Sequence, residues 1–224
     1  MHLRAPDHGA LFYFNSLKLL MKNKIIFLPG ASGDLNFWQP VSDLLPDKYD
    51  KEIIGYPSFG CVEADKNIES FEALIDYVVG KVQQECVIVA QSMGGIFAVA
   101  SALTKPEWVK GLVLVATSGG IPLEPFDVQD WREGYSQHYL QYPDWFVTAN
   151  IDFDAELDSI DIPVLLLWGD QDPLSPPTVG EYLNQRFPNA ELHIIEGGDH
   201  QFAHTHAQQV AAYINTYLNR HDSN

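Results

Sequence analysis

Positive charge is scarce in this sequence. Thirteen Lys and Arg stand against thirty Asp and Glu, a formal net charge of −17 over 224 residues. Binding a phosphate backbone needs clustered cations to displace its counterions, so the balance argues against nucleic acid as a partner. The acidic surface is read as a solubility feature. Cysteine is scarcer still. Cys61 and Cys86 are too few for a disulfide framework, and Cys86 opens an apolar run where a small buried thiol is ordinary. A reducing compartment and a cytoplasmic location are the expectation. No apolar run approaches the ~20 residues needed to span a bilayer, so no membrane partner is expected. The N-terminal "LFYFNSLKLL" is interrupted by Asn15, Ser16 and Lys18, and no small-residue cleavage site follows it. Internal repeats and low-complexity tracts are missing too.

What is present describes a globular chain of one domain: 46% hydrophobic, 12% aromatic and 19% charged residues. Short apolar runs alternate with longer amphipathic stretches. The runs are Ile25 to Leu28, Lys51 to Gly55, Val87 to Ala90, Leu112 to Ala116, Val164 to Trp168 and Leu192 to Ile195. They hardly alternate, which is the pattern of strands buried on both faces. Helical patterns fall at Phe37 to Leu45, Ile68 to Val82, Gly95 to Leu103, Thr178 to Phe187 and Thr205 to Leu218. Strands alternating with helices predict a mostly parallel, doubly wound α/β sheet covered on both faces.

One segment breaks the rhythm. From Ser118 to Asp161 there is no strand signal, and Phe126, Trp131, Tyr135, Tyr139, Tyr142, Trp145, Phe146 and Phe153 lie among many acids. About 40 residues between two core strands is longer than an ordinary connection, and the segment is read as a short helical lid. Its aromatics are expected to form the lid's own core, with two or three lining an acyl pocket.

The stretch "ECVIVAQSMGGIFA" carries the chemistry. Ser92 ends a strand and precedes a helix, with the small residues Ala90 and Gly94 at minus two and plus two, where a tight turn needs strand and helix to approach closely. Ligands of an open parallel sheet bind beyond the carboxyl ends of its strands. A serine there becomes nucleophilic when a base removes its proton and a third group holds that base. The loops "GDQDPLSP" and "EGGDHQF" follow later strands and supply Asp172 and His200, in the order Ser, Asp, His. Asp170 competes as the acid; its place in "GDQDPLSP" favours Asp172 and leaves Asp170 as a loop-capping carboxylate. The developing oxyanion needs donors, for which the Met93 N–H at a helix N-terminus and the Ala31 N–H in "FLPGASGDLNFW" are chosen, with Ser32 as a possible side-chain addition.

In this order the pieces "LPGASGD" with "FWQP", "GYPSFG", "AQSMGG", "KPEWVKGLVLVAT", "WGDQDPLSP" and "GGDH" resemble an α/β-hydrolase over about Ile25 to Leu218. The resemblance implies Ser92 as nucleophile, Asp172 as orienting acid, His200 as general base, Ala31 with Met93 as the oxyanion hole, and no cofactor. The sequence departs from the family pattern in three places. Ala90 replaces the first glycine of Gly-x-Ser-x-Gly, Pro29 stands where many members carry His, and the residues before Ile25 hardly supply the usual N-terminal hairpin. Met21, which opens "MKNKIIFLPG", is read as an alternative or true start, with residues 1–20 contributing little to catalysis.

Simpler readings compete with these. Ser92 could be a plain helix N-cap. His200, His204 and His206 with Asp199 invite a metal, but lack a partner cluster and are not assigned one. His193 is read as structural. The function expected is hydrolysis of small or medium neutral carboxylic esters through an acyl-enzyme, and the alternative is a weakly active hydrolase-fold small-molecule receptor. "GYPSFG" and the short lid are also reminiscent of the methyl esterase of biotin synthesis that acts on an acyl carrier protein. The lid's single Arg132 among so many acids disfavours an acidic carrier. The pattern sets no oligomeric state.

Overall fold

Each apolar run becomes a strand, and every strand pairs in parallel. In the computed structural model, which describes residues 23–221, the strands are β1 (Lys24–Leu28), β2 (Asp50–Ile53), β3 (Cys86–Gln91), β4 (Val109–Val115), β5 (Val164–Gly169) and β6 (Ala190–Ile195). Their spatial order is β2-β1-β3-β4-β5-β6. Between them lie α1 (Gln39–Leu44), α2 (Phe71–Lys81), α3 (Met93–Thr104) and α6 (Pro177–Arg186), with α7 (Phe202–Thr205) and α8 (Ala207–His221) closing the chain. The expectations about residues 1–20 and the hairpin before Ile25 fall mostly outside the described residues. Among the described residues no antiparallel pair occurs, and no helix is long and apolar enough to cross a membrane.

Two hydrophobic clusters sit on opposite faces of the sheet, sorted by the period of two along each strand. Ile26, Leu28, Ile88, Leu112, Leu114 and Leu166 point to one face. Ile25, Phe27, Val89, Val113, Leu165 and Leu167 point to the other, where Val210, Ile214 and Leu218 of α8 cover them. The central strands β1, β3, β4 and β5 are thus buried on both faces, as their unbroken apolar runs require. The edge strands differ. β2 alternates exposed and half-covered residues, and most of β6 is only partly covered, because a strand with one neighbour is flanked by helices less completely.

The segment after β4 is helical, as expected of a lid: α4 (Arg132–His138), α5 (Trp145–Thr148) and a 3₁₀ turn (Asp154–Ser159). Its far end is tied to the body. Asp154 accepts hydrogen bonds from Tyr182 Oη at 2.9 Å and from Arg186 Nε at 3.1 Å, both on α6. Because every strand runs the same way, the loops after β1, β3, β4, β5 and β6 all emerge at one edge, beneath this lid.

Candidate active site

Ser92 occupies the turn between β3 and α3 with φ 53° and ψ −123°, a conformation unusual for a non-glycine residue. Such backbones cost about 1–3 kcal/mol and persist where the surroundings enforce them. Here the enforcement is visible. Ser92 N donates to Val115 O at 3.1 Å, and Thr117 Oγ1 donates to Ser92 O at 2.5 Å. Gly94 is needed for close approach, since a Cβ there would lie 2.6 Å from the carbonyl oxygens of Leu28 and Pro29. The Ser92 side chain makes no capping bond to α3, so the plain N-cap reading fails.

The hydroxyl turns instead to the base. Ser92 Oγ lies 3.1 Å from His200 Nε2, and His200 Nδ1 lies 2.8 Å from Asp172 Oδ2. Asp172 is buried, and its other oxygen accepts from the amides of Leu174 at 2.8 Å and Ser175 at 3.0 Å. With both carboxylate oxygens acting as acceptors, Nδ1 carries the proton and Nε2 faces the serine as acceptor. This spatial arrangement is a Ser-His-Asp triad. Asp170 does the work expected of it in the loops: its Oδ1 accepts from Gly197 N at 2.7 Å, joining the acid loop to the base loop.

The residues of the two expected oxyanion donors line the same cavity as Ser92. Met93 opens α3, and Ala31 belongs to the loop after β1. Among the described residues neither amide has an acceptor. Ser32 Oγ accepts from Asp34 N at 3.3 Å, which leaves its O–H free to donate.

A cavity of about 510 Å³ opens above the triad, lined by Ser92, His200, Ala31 and Met93 and roofed by the lid. Trp131, Tyr135, Tyr139 and Phe146 contribute to its lining, more of the lid aromatics than expected. Trp131 and Phe146 stack with centroids 4.7 Å apart. Tyr142 and Trp145 instead cover Phe59, tying the lid to the loop after β2. His138 of the lid also lines the cavity, edge-on to Tyr139.

The other histidines singled out by the sequence have neighbours of their own. His193 lies against Tyr213 at 4.4 Å, His204 Nδ1 is 3.2 Å from Phe37 O, and His206 Nδ1 is 2.9 Å from Thr205 Oγ1. Among the described residues no group of three or more His, Cys, Asp or Glu is placed to hold a metal. Cys86 is buried, and burial pushes its thiol up to about 12; Cys61 is exposed.

Two positioning side chains escaped the sequence reading. Gln91, buried at the end of β3, donates from Nε2 to His200 O at 3.2 Å. Thr117 clamps the serine carbonyl as described. Both directly flank strand ends at the catalytic edge, which is the signal that could have found them.

Comparison with known proteins agrees with this geometry. The chain is 23% identical to a pimeloyl-[acyl-carrier protein] methyl ester esterase of Neisseria meningitidis, over 87% of this chain and 76% of that one. It is also 23% identical to the hydrolase YugF of Bacillus subtilis, over 94% and 95% of the two chains. Among solved structures, an esterase of Thermogutta terrifontis superposes with a TM-score of 0.68 at 17% identity, covering 88% of this chain and 90% of the other. A lipase described as putative, from Acinetobacter baumannii, reaches 0.75 at 20% identity, with 90% and 85% covered. At such identities the superpositions speak for the fold alone. The sequence itself goes further: residues 25–213 match the model of the alpha/beta hydrolase family, and the chain belongs to that family.

Proposed function

We propose that the protein hydrolyses small or medium neutral carboxylic esters through an acyl-enzyme on Ser92. The observation that carries this reading is the unbroken line from Asp172 through His200 to Ser92 Oγ, ending in a lidded cavity of mixed apolar and polar lining. His200 Nε2 takes the serine proton as Oγ attacks the ester carbonyl, and Asp172 steadies the imidazolium. The oxyanion is received by the amides of Met93, where the dipole of α3 adds its field, and Ala31. His200 then returns the proton to the leaving alkoxide. Water, activated by the same imidazole, cleaves the acyl-enzyme, and the chemistry needs no cofactor.

Charge supports the neutral substrate. Of the charged side chains lining the cavity, Glu124 and Asp130 oppose a single Arg132, which lies 3.8 Å from Asp130 and is thereby offset. Several relatives of similar identity are named for a carrier-protein ester. A carrier protein is acidic, and this lid offers it no cationic patch.

Replacement of Ser92 or His200 by Ala is expected to lower kcat on a neutral p-nitrophenyl ester by roughly 10⁴- to 10⁶-fold with the fold intact, and Asp172→Asn by somewhat less. Near-normal turnover by Ser92→Ala would remove the serine from the mechanism.

A further inference from the structure

The loop that carries Ala31 is held by more donors than a loop of its length needs. Trp38 Nε1 donates to Leu28 O at 2.9 Å, Tyr56 Oη to Pro29 O at 2.8 Å, and Gly33 N to Gly30 O at 3.0 Å. Tyr135 Oη donates to Ala31 O at 2.9 Å and Tyr142 Oη to Ser32 O at 3.1 Å. The carbonyls from Leu28 to Ser32 are therefore all engaged. The first two donors come from the body of the protein and the last two from the lid.

The bond from Tyr142 differs from the others in where it leads. A trans peptide points its C=O and N–H in opposite directions, so a donor on one side fixes and polarises the group on the other. Ser32 O shares its peptide with Gly33 N–H, which donates to Gly30 O. Gly30 O in turn shares its peptide with the N–H of Ala31. Gly33 makes this turn with φ 62°, and a Cβ there would lie 2.7 Å from Gly60 N and from Phe59 Cβ, so a side chain is excluded. Gly60 N donates to the Tyr142 oxygen at 2.9 Å, which strengthens the phenol as a donor. Hydrogen bonds in such a chain polarise one another in the same sense, by about 10–30% per bond.

We propose that Tyr142 is a positioning residue of the lid that orients and polarises the Ala31 amide through two peptide units, so that the lid sets the strength of the oxyanion site. The proposal rests on Ala31 being an oxyanion donor, as argued above. Tyr135 ends on a different peptide, the one bearing Ser32 N–H, and does not feed this chain. Tyr182 attaches the other end of the lid, through Asp154, and is not among the residues lining the cavity.

The test compares Tyr142→Phe with Tyr182→Phe, reading kcat, KM and the inhibition constant of a trifluoromethyl ketone, whose adduct places a negative oxygen in the oxyanion site. Losing an oxyanion donor outright costs about 10²- to 10³-fold in kcat, and weakening one costs less. Tyr142→Phe, which loses polarisation and loosens the orientation of the loop, should lower kcat roughly twofold to fivefold, raise the ketone constant by the same factor, and leave KM unchanged. Tyr182→Phe should leave kcat and the ketone constant unchanged. Placing 3-fluorotyrosine at position 142 keeps ring and hydroxyl while making the phenol a stronger donor, and should tighten the ketone below the pH at which that phenol ionises. The relay is overturned if Tyr142→Phe binds the ketone as the wild type does, if Tyr182→Phe shows the same loss, or if the fluorinated residue does not tighten it. Failure of the esterase reading is a separate result, seen when Ser92→Ala keeps its activity.

Discussion

At the scale of single residues, the site depends on a few contacts that tolerate no added atom. Gly94 is one. Its absent Cβ would meet two backbone carbonyls, which cannot rotate aside as a flexible side chain would. Gly94→Ala must push α3 away from β1 and thereby separate Ser92 from Ala31. A loss of about 1–3 kcal/mol in stability is expected, measured by denaturant unfolding, together with a kcat loss disproportionate to it. Gln91 is another. Gln91→Leu leaves the carbonyl of His200 without its donor and should cost about 1–3 kcal/mol in the same measurement, while Ser92 remains reactive toward a fluorophosphonate. The sequence made the triad legible because its three members lie in separate short motifs in the loops that follow strand ends. It did not reveal Gln91 or Thr117, whose roles depend on which loop lies opposite, a distance of over a hundred residues in the case of Gln91.

Among elements, legibility followed burial. β1, β3, β4 and β5 are enclosed on both faces and their sequences are plainly apolar; β2 and β6 mix polar residues into the edges of the sheet, and β6 begins at Ala190 in polar sequence where no apolar run announces it. The lid was legible as an insertion but not as a set of contacts. Aromatic spacing alone does not tell Trp131 and Phe146, which face the cavity, from Tyr142 and Trp145, which cover Phe59. A prediction belongs to this difference. Trp131→Ala removes half of a stacked pair from the cavity roof, so KM for an octanoyl ester should rise by roughly tenfold, as expected when about 1.4 kcal/mol of apolar contact is lost, while KM for an acetyl ester stays close to wild type. Equal effects on both esters would place the acyl chain elsewhere.

For the molecule as a whole, the net charge of −17 acts at a distance that no single contact does. Anionic substrates approach against this field, so kcat/KM for CoA thioesters and carrier-protein esters should fall below that of matching neutral esters and rise with salt as screening shortens the repulsion. An advantage for the anionic substrates that grows at low salt would mean a basic docking surface. The sequence announced the fold through its alternation of apolar runs and helical patterns, and the parallel sheet then brought loops from distant parts of the chain to one edge. The central claim is that this edge holds one reactive serine. The most direct measurement is to titrate the protein with a fluorophosphonate, map the labelled peptide by mass spectrometry and follow ester turnover in parallel. One equivalent of label on Ser92, with turnover falling in proportion to labelling, is the result predicted; turnover that survives complete labelling, or label on another residue, would contradict it.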